Sequence, residues 1–279
     1  MQPGQPSLTA LGAARLRAAH QVLDGASILA DPLAARILGT GIEVSLDHAA
    51  AHPSGPLLRW FIAARSRIAE DALNVAVNDG ATQLVVLGAG LDTLAYRTPL
   101  ARRLRIFEVD HPATQARKRE MLAAASIAVP ETLTFVAVDF ERQTLAQQLQ
   151  SAGFAATERS FFSWLGVTPY LTEQAIFATL AFMAQLPGGA EVVFDYVSPA
   201  ASIAPAGRAA HQALADRVAA QGERIQSYLD TGPLCEKLSA TGFRHIDDIG
   251  PAEIAKRFFP EAEQTAPSRG GYVMHASTI

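Results

Sequence analysis

From Gln83 onward, short runs of β-branched and other apolar residues alternate with helical stretches, a pattern that restricts the chain to βαβ units feeding a parallel sheet. Strands of such a sheet are covered on both faces, so they read as continuous apolar segments. The pattern predicts strands at 84–87, 105–109, 133–138, 160–165, 191–196, 244–249 and 272–276. Seven strands make a full open α/β sheet, with helices on both faces. Ahead of it, residues 8–23, 31–38 and 57–78 carry helical periodicity, the last set off by Pro53-Ser54-Gly55-Pro56. With no internal repeat and no Ser/Gly linker, one domain over 1–279 is expected: a helical N-terminal cap (1–79) on a core (80–279). Residues 197–238, longer than a crossover requires, are expected to form a helical insertion after strand five that partly covers the substrate.

The 279 residues are 49% hydrophobic, enough for a substantial core, and the net charge of -4 offers no basic surface for nucleic acid or an anionic membrane. A small or proteinaceous substrate is therefore expected. Cys235 is the only cysteine, which excludes an internal disulfide and a Cys-x-x-Cys metal site and suits a reducing cytoplasm. No apolar run reaches bilayer length. The longest, 175–186, is broken by Gln185 and reads as a buried helix. A cytoplasmic protein without a metal site is the expectation.

The segment Leu84-Val85-Val86-Leu87-Gly88-Ala89-Gly90-Leu91-Asp92-Thr93 is a strand running into a Gly-x-Gly turn and then a helix. Glycine serves there where a ligand approaches the backbone or where φ is positive, although a purely structural turn would look the same. A dinucleotide site wants a third glycine or alanine where Thr93 stands, and Asp92 puts negative charge where a pyrophosphate would sit. Both residues disfavour a nicotinamide-dependent oxidoreductase.

Strand two ends Glu108-Val109-Asp110, about twenty residues beyond the glycine turn, where an acid can accept ribose hydroxyls. Asp110 lies nearer the carboxyl edge and is the candidate. Strand three ends in Asp139-Phe140, an acid that can accept an adenine amino group and a ring that can flank the base. Either acid alone could be a loop cap; together, after a glycine turn, they point to a bound nucleoside. In the 57–78 helix, Arg65 falls at the centre of the apolar stripe and Arg67 on the opposite side. A buried guanidinium needs an anion, and its planar fork suits a carboxylate. That anion is either a ligand carboxylate or an internal Asp or Glu. In the first case replacement by Met should leave the fold intact.

These residues together resemble the leucine carboxyl methyltransferase family, and more closely its bacterial branch of S-adenosylmethionine-dependent enzymes acting on undefined small molecules. The similarity runs through "RAAHQVLDGASILADPLAARILG", "RSRIAED", "LVVLGAGLDTLAYR", "FEVDHPATQARKR", "FFSWLGVTPYLTEQAI", "FDY" and "GFRHIDDIGPAEI". It implies a class I methyltransferase (Rossmann-like) fold whose final strand is antiparallel. It also implies S-adenosyl-L-methionine as cofactor and a small carboxylate or hydroxyl as methyl acceptor. Family roles carry over onto Arg65 for the cofactor carboxylate, Gly88 in the Gly88-Ala89-Gly90 turn, Asp110 for ribose, and Asp139 with Phe140 for adenine. One departure is Leu165, where members that methylate a protein C-terminus carry a glutamate. No dedicated catalytic residue is required, because the electrophile belongs to the cofactor. If the acceptor needs a base, His111, Tyr170, Tyr196 and His211 are the candidates. A non-catalytic cofactor-binding protein is the remaining alternative.

Overall fold

The computed structural model describes residues 7–52, 56–139, 143–202, 224–259 and 271–279, with scattered positions between 208 and 219. All five residues of β1 (Gln83–Leu87) are buried, as a central parallel strand requires. Their side chains alternate between two cores. Val85 and Leu87 join Phe107, Phe162 and Val192 in one, while Leu84 and Val86 join Ile106, Phe161 and Val193 in the other. The first core is closed by α6 (Leu145–Ser151), α7 (Glu173–Ala184) and α8 (Thr231–Thr241). The second is closed by α3 (Pro56–Asn78), α4 (Leu94–Arg97) and α9 (Pro251–Phe258).

The other strands are β2 (Arg105–Asp110), β3 (Leu133–Ala137), β4 (Ser160–Trp164), β5 (Ala190–Tyr196), β6 (His245–Ile249) and β7 (Tyr272–Ser277). They pair in the order β3-β2-β1-β4-β5-β7-β6, with only β7 antiparallel to its neighbours. This is the class I methyltransferase sheet that the resemblance implied. Because β1 to β5 run parallel, their carboxyl ends converge on one edge.

Above that edge lies α1 (Leu8–Leu23), capped by Ser7, whose Oγ accepts from the Ala10 N–H at 3.0 Å. Leu16 and Ala19 of α1 pack on Ala49 of α2 (Ile42–Ala50) and on Ile62 of α3. Ala14 and Ala18 pack on Leu91 and on Leu122 of α5 (Pro112–Ala124). Two expectations are corrected here. Residues 31–38 form turns and a short 3-10 helix (Arg36–Leu38) instead of an α-helix, and Gly39 at φ +64 ends it. The helix after the glycine turn is a single turn, because Thr98 precedes Pro99 and adopts extended backbone.

Asp31 is drawn out of any helical role by its partners. Its side chain is fully buried and accepts from Arg17 Nε at 2.8 Å, the Thr93 hydroxyl at 2.6 Å and the Leu33 N–H at 3.1 Å, with Arg97 Nε 3.5 Å away. Arg17 also donates to the Leu91 carbonyl at 2.6 Å, and Arg97 makes a two-pronged pair with Glu70 of α3. One carboxylate thus ties the N-terminal cap to the glycine turn. Removing it strands a buried guanidinium, so Asp31→Ala should cost about 3–5 kcal/mol in urea denaturation, whereas a loss below about 1 kcal/mol would show that water replaces it.

Candidate functional site

The carboxyl ends of β2 and β3 hold the acids that the sequence singles out, and the 56–78 helix brings Arg65 to the same edge. Gly88 and Gly90 follow β1 with φ +63 and +44, conformations that favour glycine. A Cβ on Gly88 would lie 2.2 Å from Val167 Cγ2, and one on Gly90 would lie 3.1 Å from the Ala10 Cβ. Packing against Val167 therefore requires glycine at 88, while position 90 is closely packed against Ala10. Ala89, between them, donates its N–H to the Val109 carbonyl at 3.1 Å and is buried.

Asp110 ends β2 with each carboxylate oxygen held by one backbone donor: Gly90 N–H at 2.6 Å and His111 N–H at 2.7 Å. Each oxygen keeps a lone pair for another donor. Burial pushes the Asp110 carboxyl above the usual range, against those two bonds and the Lys118 charge. Glu108, two residues earlier on the strand, is committed elsewhere. Its oxygens accept from Lys118 Nζ at 2.7 Å and the Tyr96 hydroxyl at 2.8 Å, and it is fully buried. The preference for Asp110 over Glu108 thus has a physical basis in access and charge, since Glu108 is fully buried and neutralised by Lys118 whereas Asp110 is half-buried at the end of the strand.

Asp139 follows β3, half-buried, with its N–H donating to Gln143 Oε1 at 2.9 Å. Phe140 lies outside the described residues, as does His211. Among the other base candidates, His111 caps α5, its Nδ1 accepting from the Ala113 N–H at 3.2 Å. Tyr170 ends a 3-10 turn (Thr168–Tyr170), and its carbonyl accepts from Gln226 Nε2 at 2.6 Å. This contact, with Gln226 N–H on the Pro169 carbonyl at 2.7 Å, lays the described end of the 197–238 segment against the loop after β4.

Arg65 reaches the same edge from α3, and the structure gives it an internal partner. Its Nη1 donates to Asp195 Oδ2 at 2.6 Å, while Asp195 Oδ1 accepts the Gly166 N–H at 2.5 Å. The side chains are 13% and 5% exposed. Gly166 has φ +73, and a Cβ there would stand 2.8 Å from Arg65 Nη2. The expectation that Met at position 65 leaves the fold untouched is corrected, since Asp195 would be buried without its counter-ion. Arg67 is on the solvent side, paired with Asp71 at 2.8 Å. Arg65 Nε is buried and has no partner among the described residues. An orphaned N–H of this kind fits an additional acceptor beside the pair. Sequence reasoning missed Asp195 and Gly166, although Asp195 lies within the quoted "FDY".

Tyr196, next on β5, points into the opposite core and is 1% exposed. Its hydroxyl lies 2.8 Å from Asp248 Oδ1 and 2.7 Å from Thr231 Oγ1, and Thr231 Oγ1 lies 2.9 Å from Asp248 Oδ2. These three contacts need three hydrogens, but the two hydroxyls supply only two. A proton on Asp248 would supply the third. Burial raises the Asp248 carboxyl, reinforced by the neighbouring Asp247 and opposed by the two hydroxyl bonds. The ring joins β5, β6 and α8, which is the role of Tyr196 here.

The sheet order, with β7 alone antiparallel, is that of the class I methyltransferase fold. The chain belongs to the leucine carboxyl methyltransferase family, whose description residues 10–184 match. A protein of Bacillus subtilis (strain 168) named "Putative S-adenosyl-L-methionine-dependent methyltransferase YktD" is 34% identical over 198 residues, 70% of this chain and 65% of that protein. A similarly named protein of Streptomyces coelicolor is 33% identical over 187 residues, 65% of each chain. The chain thus spans just under two thirds of the length of these relatives. In three dimensions it is similar to a crystal structure titled as a putative methyltransferase from Thermobifida fusca, with TM-score 0.57, 15% identity, and coverage of 99% of this chain and 96% of that one. Among the described residues no helix is long and apolar enough to cross a membrane, and no group of three or more His, Cys, Asp or Glu is placed to hold a metal ion.

The Asp248 ring makes stability depend on pH. A carboxyl raised on folding stabilises most below its unfolded value near 3.8, and that contribution is lost as pH rises through the folded value. Asp248→Asn keeps an acceptor for Tyr196 and supplies a donor for Thr231 at any pH. The variant should melt at or above the wild-type temperature in neutral buffer and lose the wild type's gain on mild acidification. A lower melting temperature at neutral pH would show that Asp248 works as an anion.

Proposed function

We propose that the protein is an S-adenosyl-L-methionine-dependent O-methyltransferase that transfers a methyl group to a carboxylate or hydroxyl of a small molecule. The observation that carries this reading is the order of groups along one sheet edge in a member of this family. Asp110, with one lone pair spare on each oxygen, stands beside the glycine turn, and Arg65, with a buried unpartnered N–H, stands across β4. The names of the relatives support the same cofactor. A nicotinamide site finds no comparable support. Thr93, in place of a third glycine, is buried and holds Asp31, and α4 is too short to offer a pyrophosphate cradle.

S-adenosyl-L-methionine would supply a sulfonium-activated methyl group. The protein's part is to bind, align and exclude water. Asp110 would hold the ribose hydroxyls, with its carboxylate already oriented by Gly90 and His111. Asp139 and Phe140 would flank the adenine. The loop after β4, from Gly166 to Tyr170, and the segment after β5 would wall the acceptor. A carboxylate acceptor is already ionised and needs no base. This suits an edge where His111 and Tyr196 are both occupied structurally. A cytoplasmic setting and a small-molecule acceptor belong to the same proposal.

Calorimetric titration tests it directly. The wild type should bind S-adenosylhomocysteine and not NAD, and Asp110→Asn should weaken S-adenosylhomocysteine by about 1.5–3 kcal/mol, the worth of hydrogen bonds to a charged group. Binding of NAD alone would overturn the reading. Tight binding of S-adenosylhomocysteine with no methylated product from a broad panel of acids, phenols and alcohols would favour a non-catalytic binding protein.

A further inference from the structure

The Arg65–Asp195 pair is electrically neutral, largely shielded from water and incompletely used. Arg65 spends one N–H on Asp195, and its Nε is buried with no partner among the described residues. Asp195 accepts one bond on each oxygen, from Arg65 Nη1 and the Gly166 N–H, and so retains one lone pair on each. Both groups therefore have spare capacity side by side. The pair also sits next to the glycine turn, since Val167 fills the space above Gly88 and Gly166 adjoins Arg65.

Charge balance decides what such a pair accepts. A lone anion on Arg65 would share the guanidinium with Asp195 and leave one uncompensated negative charge in a desolvated site. A lone cation on Asp195 would leave the reverse. A zwitterion leaves neither, because its carboxylate meets the guanidinium and its ammonium meets the carboxylate. The α-amino-acid end of S-adenosylmethionine is such a group. The place of the family glutamate is held by Leu165, whose side chain packs against the apolar core and offers no charge.

We infer that Arg65 and Asp195 together bind the zwitterionic amino-acid end of the cofactor, with Asp195 receiving the α-ammonium. This rests on the cofactor proposed above. Asp195 is then a ligand-binding residue in its own right, as well as the group that orients Arg65. The acid comes from the end of β5 instead of the loop after β4. The site consequently discriminates against analogues that keep the carboxylate and lack the ammonium.

The test uses the full chain and three ligands: S-adenosylhomocysteine, its desamino analogue with the carboxylate kept, and 5′-methylthioadenosine, which has neither charge. The wild type should prefer S-adenosylhomocysteine to the desamino analogue by about tenfold or more, a difference of roughly 1.4 kcal/mol. In Asp195→Asn that preference should collapse to within about twofold, while 5′-methylthioadenosine binds as it does to the wild type. Equal wild-type affinity for the first two ligands overturns the inference without any variant. So does a variant that weakens both of them by the same factor, since Asp195 would then act only through Arg65. Failure of the wild type to bind any of the three would sink the cofactor reading itself, an outcome distinct from the others.

Discussion

Charge placed at the carboxyl edge of a buried parallel sheet has to be matched within the chain, and the matching of these charges organises both the cap and the site. Four acids at or near this edge show how. Asp31 is satisfied by Arg17, Arg97 and Thr93; Glu108 by Lys118 and Tyr96; Asp195 by Arg65 and Gly166; and Asp110 only by two backbone N–H groups. The first two are closed knots. The last two differ in that Asp110 has only backbone donors and Asp195 faces a guanidinium with an unpartnered N–H, and they are the two that flank the glycine turn on either side. The division between closed acids and acids open to a ligand follows from the charge and completeness of their partners.

The same division explains why the N-terminal helices belong to the site. Helix α1 approaches the glycine turn closely enough that Ala10 limits what Gly90 can become, and Arg17 binds the Leu91 carbonyl within that turn. At the other end of α1, Asp24 is bound by Arg59 and Trp60 of α3 and by His20. Burial works to raise the Asp24 carboxyl, but the three donors outweigh it and hold it at about 2. Helix α1 is thus pinned by ionic contacts at its middle, through Arg17, and at its carboxyl end, through Asp24. It spans from α3, which delivers Arg65, to the glycine turn, whose Gly90 N–H holds Asp110.

Much of this was legible in the sequence, because a doubly covered parallel strand has few ways to look. Each strand lies within one or two residues of where apolar runs predict it, and Arg65 stands out through its place on an otherwise apolar face. Features set by long-range charge were not legible. Asp31 reads as a helix residue until Arg17, Arg97 and Thr93 surround it. Thr93 reads only as a missing glycine, whereas its hydroxyl is a structural donor. Helix α2 begins at Gly41 without a side-chain cap, so it lacks the usual start signal. The partner of Arg65 lies 130 residues away, a separation that periodicity cannot bridge.

A crystal structure of the protein with S-adenosylhomocysteine would examine the central claim most directly. The account predicts the ribose hydroxyls within hydrogen-bond distance of Asp110, and the amino-acid tail against Arg65 and Asp195. A ligand bound away from this edge, with Val167 and Ala10 still closing the glycine turn and Asp110 making no contact beyond Gly90 and His111, would contradict it.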